Sequence, residues 1–150
     1  MTHPAHPLVT AEELQVLLSD DAAFTKTYGF VVSRIASGSC TLAVPALPRF
    51  ERPGGIVSGQ VFMTAADVAM WLAIKTLRGL DDPSVTSHMQ THFLRSARTG
   101  PFTCTAVVLR LARRTAFGTA ECHSTDGLLL AHHTLSYAVP GQPHKAADGA

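Results

Sequence analysis

Apolar positions follow a helical spacing in two segments of the chain and a strand-like alternation in several others. The first helical segment begins at Thr10-Ala-Glu-Glu13, which has the pattern of a capping box, and its apolar positions predict a short helix over residues 10–19. The Asp20-Asp21 pair is expected to end this helix. Residues 1–9 contain two prolines and two histidines, which predicts a loose N-terminal arm.

The second helical segment, residues 59–78, is rich in Ala, Met and Leu and contains no proline, and Gly79 stands where a C-terminal cap is expected. Because apolar residues occupy most of its circumference, we expect neighbouring elements to bury this helix on most sides. Extended segments rich in β-branched and aromatic residues lie before and after it, over residues 28–36, 40–44, 85–94, 102–112, 115–124 and 128–138.

This order of elements predicts an α+β protein. Short links join the last four strands, including Asp126-Gly127, a strong hairpin signal, so these strands are expected to form an antiparallel meander. Residues 45–55, rich in Pro and Gly, are expected to lack regular structure. An antiparallel sheet of five to six strands wrapped around one long central helix fits this pattern. Residues 1–139 are therefore predicted to form a single domain, followed by a flexible tail over residues 140–150.

Composition adds an expectation about partners. Hydrophobic residues make up 46% of the 150 residues and charged residues only 15%, whereas a charged share of about 25% is typical. A chain this apolar is expected to bury surface against copies of itself, as a homodimer or homotetramer. The formal net charge of +1 gives no electrostatic reason to bind nucleic acid or an acidic membrane.

Targeting and membrane signals are weak. The N-terminus lacks the basic and apolar regions of a secretory signal. The longest apolar stretch, residues 61–74, contains an acid and is shorter than the roughly 20 residues that a membrane span requires. We therefore expect a cytoplasmic protein that makes no membrane contact.

Cofactor signals are similarly weak. The cysteines form no CxxC pair, and the histidines lack an acid or a thiol at the spacing that would complete a metal site, so no metal or redox cofactor is expected. The residues in question are Cys40, Cys104, Cys122, His88, His92, His132 and His133.

Asp67 is an acid in the middle of the apolar helix. A buried carboxylate is costly unless it is hydrogen-bonded or lies at a cavity. Helical spacing places it on a stripe that could be the solvent face of the helix or the lining of a cleft, and Trp71 and the narrowness of the stripe favour a cleft. The stripe consists of Gln60, Thr64, Asp67, Trp71 and Lys75.

The loop Gly54–Gln60 runs into the start of the same helix. Unpaired backbone N–H groups and the helix dipole favour a developing negative charge at such a position. Donors at the helix start and a carboxylate two turns further along are the components that acyl transfer to water needs, because the N–H groups stabilise an oxyanion while the carboxylate orients or deprotonates water.

These residues also carry a family resemblance. Ser58-Gly59-Gln60-x6-Asp67 resembles the His-Gly-Gly-x6-Asp signature of the PaaI-type (phenylacetate-pathway) acyl-CoA thioesterases of the hotdog-fold superfamily. Residues 85–95 look like the strand that follows the central helix in that family, and residues 52–59 are similar to a PaaI-like bacterial branch. The resemblance covers about residues 28–139 and implies a hotdog fold and hydrolysis of an acyl-CoA thioester to free acid and CoA.

The resemblance implies a role for each matching position. Asp67 matches the acid that serves as general base or nucleophile, and Gly59 matches the glycine whose N–H polarises the thioester carbonyl. Thr86 lies near the family's Ser or Thr that positions water. Ser58 replaces the family's His, and Gln60 its second Gly, so both are expected to be auxiliary polar groups. In the family the site lies at a dimer interface, along which the pantetheine arm of CoA runs.

Other residues are candidates for substrate binding. Arg52, which corresponds to an Asn of the family, and Thr64 of the helix are two of them. The candidates for the acyl pocket are Met63, Met70, Trp71 and Phe62, although a core position is the safer interpretation of any one of these four. The arginines in the second half of the chain are either solvated turn residues or part of a patch for the phosphates of CoA, since the guanidinium fork suits phosphate. They are Arg95, Arg98, Arg110, Arg113 and Arg114.

A second class of function remains open from the residues alone. The departures at Ser58 and Arg52 fit a non-catalytic protein that binds acyl-CoA or fatty-acyl groups through a degenerate site, and a purely structural oligomer is a third alternative. An enzyme must tolerate these two departures, whereas a binding protein predicts them.

Overall fold

The computed structural model describes residues 2–21, 23–98 and 100–141 of the chain. The first helix, α1 (Ala11–Val16), begins at the capping box that the sequence predicts. Glu13 N–H donates to Thr10 Oγ1 (3.2 Å), and Thr10 N–H donates back to Glu13 Oε2 (2.8 Å). The reciprocal pair satisfies two backbone donors that a helix start leaves unpaired.

The predicted end of this helical region at Asp20-Asp21 is wrong. A π-helical turn (Leu17–Asp21) continues α1, and α2 (Ala23–Lys26) follows. The Thr25 hydroxyl donates to the carbonyl of Leu18 (3.0 Å), and both residues are buried. This buried contact ties the two helical pieces together, which the run of two acids in the sequence does not reveal.

The N-terminal segment is less loose than its composition predicts. Leu8 N–H donates to the carbonyl of Thr76 (2.8 Å), and the side chain of Val9 is buried. At the other end, the predicted flexible tail from residue 142 onward lies outside the described residues, and Pro140 and Gly141 have no regular structure.

The main body is a six-stranded antiparallel sheet packed on one long helix, α3 (Gly59–Arg78). The sheet order is β1-β2-β6-β7-β8-β5, and a separate two-stranded hairpin joins β3 and β4. In the described part of the chain the strands are β1 (Val31–Ala36), β2 (Ser39–Val44), β3 (Glu51–Arg52), β4 (Ile56–Val57), β5 (Val85–Phe93), β6 (Phe102–Leu111), β7 (Thr115–Ser124) and β8 (Leu129–Ala138).

Strands β6, β7 and β8 form the meander that the sequence predicts, but β5 does not pair with β6 as expected. It pairs with β8 at the far edge of the sheet. The physical reason is burial: alternate residues of β6 are buried against α3, whereas β5 is exposed along most of its length. The apolar strand takes the middle of the sheet, and the polar strand takes an edge.

Helix α3 lies where the sequence predicts it, and most of its residues are buried. It ends at Gly79, whose backbone has a φ of 97° and whose N–H donates to the carbonyl of Lys75 (2.8 Å). The helix approaches the sheet closely at Gly118, where a Cβ atom would lie 2.2 Å from the carbonyl oxygen of Val107 and 2.6 Å from Cε of Met70. A side chain at this position would clash with the backbone of β6, so the β6–β7 pair would have to shift.

The connection over residues 45–55 has more regular structure than predicted. A 3₁₀ turn (Pro48–Phe50) leads into the β3–β4 hairpin. Gly54 and Gly55 form the turn of this hairpin with φ values of 102° and 68°, a backbone conformation that residues with a Cβ atom rarely adopt. The hairpin therefore delivers the chain to the start of α3 in a fixed direction.

One histidine lies in the core beneath the sheet. The His133 imidazole is fully buried, with Nδ1 2.9 Å from the hydroxyl of Thr91 and Nε2 3.7 Å from Sγ of Cys122. Burial, together with the charge of neighbouring His132, lowers the pKa of His133 from its ordinary value of 6.5 to about 4. The folded chain thus holds this imidazole neutral.

This buried imidazole predicts a loss of stability in acid. Because the unfolded chain takes up a proton at His133 below pH 6.5 and the folded chain does so only near pH 4, the free energy of unfolding should fall by about 3 kcal/mol across that window. Urea titrations at fixed protein concentration measure the fall, and His133→Gln should flatten it. The same pH dependence in both proteins would contradict the assignment.

Among the described residues, no helix combines the length and the apolar character that crossing a bilayer requires.

Candidate functional site

Asp67 lies in the middle of α3 at the margin of the buried surface. Its own side chain is partly exposed, while both neighbours in the sequence are buried. The stripe on which it lies changes character along the helix, because Gln60 at one end is exposed and Lys75 at the other is buried. The stripe is therefore neither a uniform solvent face nor a wholly buried one.

Two hydroxyl groups hold the Asp67 carboxylate. Thr86 Oγ1 donates to Oδ1 over 2.7 Å, and the Tyr137 hydroxyl donates to the same oxygen over 2.5 Å. The Tyr137 oxygen also lies 2.8 Å from the backbone carbonyl oxygen of Asp67. Within the described part of the chain, the second carboxylate oxygen, Oδ2, accepts no hydrogen bond, so it is free to contact water or substrate.

Thr86 and Tyr137 reach Asp67 together because they are direct neighbours across the β5–β8 pair. Burial raises the pKa of Tyr137 far above its ordinary value, and the negative charge of Asp67 raises it further. The phenol therefore stays protonated at any physiological pH and acts as a permanent donor to the carboxylate.

The sequence indicates Asp67 and Thr86 as site residues, but it does not indicate Tyr137. A signal was present, because Tyr137 alternates with His133 and Leu135 on the buried face of β8, and a buried tyrosine hydroxyl needs a hydrogen-bond partner. The partner could not be identified without knowing that β5 pairs with β8.

An apolar cleft of about 270 Å³ opens beside this carboxylate. Its polar lining residues are Asp67, Ser84, Thr86 and Tyr137, and its apolar ones are Phe24, Val68, Trp71 and Val85. Trp71 thus lies where the sequence predicts a cleft. The combination of an apolar wall with a few convergent polar groups is typical of small-molecule sites.

A charged cluster at the C-terminal end of α3 and in the loop that follows holds one side of this cleft in place. The Lys75 ammonium lies 5.0 Å from the centre of the Trp71 ring and donates to the carbonyls of Leu80 (2.6 Å) and Asp82 (3.0 Å). The Asp82 carboxylate also contacts Arg78 and accepts from the backbone N–H of Ser84 (3.1 Å). These contacts hold the loop that leads into Thr86.

The start of α3 borders a different cleft, of about 330 Å³. Gly59, the first residue of the helix, lines it together with Arg52 and Phe93, and a Cβ atom at Gly59 would lie 3.0 Å from the Phe93 ring. The Ser58 side chain caps no N–H of the helix. Gly59 and Asp67 are eight residues apart, about 12 Å along the helix axis, so one chain does not bring them together.

A third cleft, of about 520 Å³, lies beside the N-terminal end of α3. Ser58, Gln60 and Arg52 line it along with Tyr28. The Thr64 hydroxyl donates to the carbonyl of Gln60 (2.9 Å) and lies 3.3 Å from the Tyr28 hydroxyl. Thr64 therefore supports the rim of this cleft, whereas Met63 is exposed and lies outside the linings of all three clefts.

The structure does not bring Arg113 and Arg114 to these clefts. They occupy the turn between β6 and β7, where Ala112 N–H donates to Thr115 O (2.8 Å), and both side chains are exposed. The tight turn holds them at the end of the sheet, outside the three linings, so the interpretation as solvated turn residues fits better.

Four other histidines, His88, His92, His123 and His132, lie on strands of the sheet and are exposed or partly exposed. Glu121 is opposite His132 across β7 and β8, with Oε1 4.0 Å from His132 Nε2 and Oε2 3.7 Å from His123 Nε2. No three metal-ligating side chains converge among the described residues.

The two hydroxyls on Oδ1 give a testable effect on rate. Tyr137→Phe and Thr86→Val each remove one charge-assisted hydrogen bond, and each should lower kcat for the hydrolysis that the family resemblance implies roughly tenfold, with little change in KM. Steady-state thiol release measures both constants. Thr105→Val removes a hydroxyl that pairs with Thr41 on the sheet and should leave kcat unchanged. Unaltered kcat in the two site variants would refute a positioning role.

Comparisons with known proteins agree with this fold. A family model described as the thioesterase superfamily matches residues 54–131, about half of the chain. A provisionally named esterase of Sulfurisphaera tokodaii is 28% identical over 120 residues, which cover 80% of this chain and 87% of that protein. A thioesterase from Haemophilus influenzae shares the fold, with a TM-score of 0.81, 21% identity, and coverage of 92% of this chain and 95% of the other.

A mutant of the phenylacetic acid degradation protein PaaI from Thermus thermophilus is similar in both sequence and structure. It is 28% identical, with a TM-score of 0.72, and the match covers 79% of this chain and 99% of that one. The family match spans the start of α3, the whole helix and most of the sheet, the elements that carry Gly59, Asp67 and Thr86. With its single long helix on a six-stranded antiparallel sheet, this chain belongs to the thioesterase superfamily and has the hotdog fold.

Proposed function

We propose that this chain hydrolyses an acyl-CoA thioester to the free acid and CoA. Membership of the thioesterase superfamily supports thioester hydrolysis in general. The observation that carries the finer proposal is the arrangement of the Asp67 carboxylate at the wall of an apolar cleft. Two hydroxyl groups donate to its Oδ1 atom, and its Oδ2 atom remains free.

In the proposed reaction, Asp67 acts as a general base through Oδ2. It removes a proton from a water molecule as the water oxygen attacks the thioester carbonyl carbon. The carbon–sulfur bond then breaks, and the departing thiolate takes the proton from Asp67, so one water is consumed and one acid and one thiol are released. Thr86 and Tyr137 orient the carboxylate. The reaction requires water and a carboxylate, with no metal or redox cofactor.

The carbonyl needs a donor that one chain does not place beside its own Asp67. We assign this role to the Gly59 N–H of a second copy in a homodimer or homotetramer, with Ser58 and Gln60 as auxiliary polar groups. The positive end of α3 would then stabilise the oxyanion that forms during attack. The apolar cleft around Trp71 and the rim at Thr64 supply surface for the pantetheine part of the substrate and for the acyl carbons next to the thioester.

The test is thiol release from a panel of acyl-CoA thioesters of increasing chain length, with the corresponding oxygen esters measured in parallel. We expect saturable turnover of thioesters and much slower turnover of oxygen esters. Hydrolysis of oxygen esters alone would overturn the proposed substrate class.

A further inference from the structure

The cleft at the start of α3 combines a cationic rim with an apolar floor. Arg52 of β3 and Arg95, just after β5, line it together with Gly59. Phe62, which is buried, and Phe93, which is exposed, provide apolar surface in the same cleft. Such a surface suits a ligand with a short apolar body and a negatively charged end.

No carboxylate neutralises these two arginines. The described residues that line the cleft include no Asp or Glu, and neither arginine forms a salt bridge within the described part of the chain. Arg95 is nevertheless anchored, because its Nη1 donates to the carbonyl of Leu129 (3.0 Å). The anchor leaves the other guanidinium N–H groups free and reduces the entropy that binding an anion would cost.

We propose that Arg52 and Arg95 form a carboxylate-binding subsite, so that the preferred substrate is the monothioester of a short dicarboxylic acid. The guanidinium groups would bind the terminal carboxylate of the acyl group, while Phe62 and Phe93 contact its methylene chain. The proposal rests on the proposed thioesterase function for the position of the thioester, but the charge and lining of the cleft do not depend on it.

The phosphates of CoA are a second source of negative oxygens, and the geometry disfavours them here. Gly59, the proposed donor to the thioester carbonyl, lines the same cleft as both arginines. The pantetheine arm separates the thioester from the phosphates by about a dozen bonds, roughly 15 Å when extended. An anionic group within the cleft is therefore more easily supplied by a short acyl chain than by the nucleotide.

The test compares two acyl groups of the same shape and different charge. Glutaryl and 5-methylhexanoyl thioesters differ in whether the chain ends in a carboxylate or an isopropyl group. For the wild-type chain we expect kcat/KM to favour the glutaryl thioester at least tenfold.

In Arg52→Ala/Arg95→Ala the preference should disappear, mainly through a higher KM for the glutaryl thioester. Lys26→Ala/Arg34→Ala, which removes two exposed charges outside the cleft lining, should keep it.

Changing the thiol that carries the acyl group, in the wild type and in the arginine variant, shows whether the arginines bind the acyl carboxylate or the phosphates of CoA. N-acetylcysteamine thioesters of the same two acids lack phosphates, and the glutaryl preference should persist on that carrier. If the arginine pair instead affects every CoA thioester and no N-acetylcysteamine thioester, the cleft binds phosphate and the carboxylate proposal is wrong. Equal kcat/KM for the two acyl groups in the wild type, or a preference that depends on Arg113 and Arg114 instead, would also overturn it.

A binding measurement separates this proposal from the proposed function. Calorimetric dissociation constants for the intact thioesters on Asp67→Ala require no turnover. Tighter binding of glutaryl-CoA that is lost with Arg52 and Arg95 supports the subsite even if the wild type hydrolyses nothing, in which case the thioesterase proposal alone fails. Hydrolysis of both acyl groups with no arginine-dependent difference leaves the thioesterase proposal intact and overturns the subsite.

Discussion

Asp67→Asn is expected to lower kcat for thioester hydrolysis by a factor of about 10² to 10⁴, the usual contribution of a general base. Asparagine keeps an oxygen that can accept from Thr86 and Tyr137, so the fold and the cleft should be retained. It removes the basic oxygen, so water is no longer deprotonated as it attacks. KM should change little, because the lost interaction is made in the transition state.

The matched control for this variant is Asp126→Asn, which makes the same chemical change in the exposed turn between β7 and β8. It should leave both constants unchanged. If Asp67→Asn keeps wild-type kcat while its thermal unfolding matches that of the wild type, a catalytic role for Asp67 is ruled out.

The second large effect tests the proposal that the site is shared between two chains. Asp67→Ala and Gly59→Val should each be inactive alone, since one lacks the base and the other places a side chain against the Phe93 ring, blocking the proposed donor. In a mixed dimer, one site combines the intact Gly59 of one chain with the intact Asp67 of its partner. Statistical mixing should therefore restore roughly a quarter of wild-type activity.

Recovery requires that subunits exchange, so the two variants are unfolded and refolded together, with each variant refolded alone as the control. Circular dichroism of each variant checks that Gly59→Val folds. Recovered activity near one quarter supports the shared site. Activity that stays at the level of the separate variants, in a mixture shown to contain mixed dimers, would place the complete site within one chain.

Much of the fold follows from local patterns. Helix α3 could be predicted to the residue because an unbroken apolar run, a glycine-rich start and a glycine cap all indicate the same boundaries. The β6–β8 meander follows from alternation and the Asp126-Gly127 turn. The position of β5 could not be predicted in this way, because the choice between neighbouring strands depends on how much of each strand α3 covers.

The same limit explains what the sequence revealed of the site. Asp67 stands out as an acid in an apolar helix, and Thr86 was found through the family resemblance. Tyr137 could not be identified as a site residue from the sequence, because its hydroxyl contacts Asp67 only when β5 lies beside β8. For the arginines, distance along the sequence does not predict which of them line a cleft. Arg113 and Arg114 are adjacent in sequence but lie in a turn away from the clefts. Arg52 and Arg95 are 43 positions apart and line the same cleft.

The most direct test of the central claim is thiol release from acyl-CoA thioesters by the wild-type chain and by Asp67→Ala, measured side by side at the same protein concentration. We expect turnover by the wild type on at least one acyl chain, and a rate for Asp67→Ala lower by a factor of about 10² or more. Equal rates for the two proteins on every acyl chain, with acyl-CoA bound but not hydrolysed, would contradict the claim and indicate a binding protein.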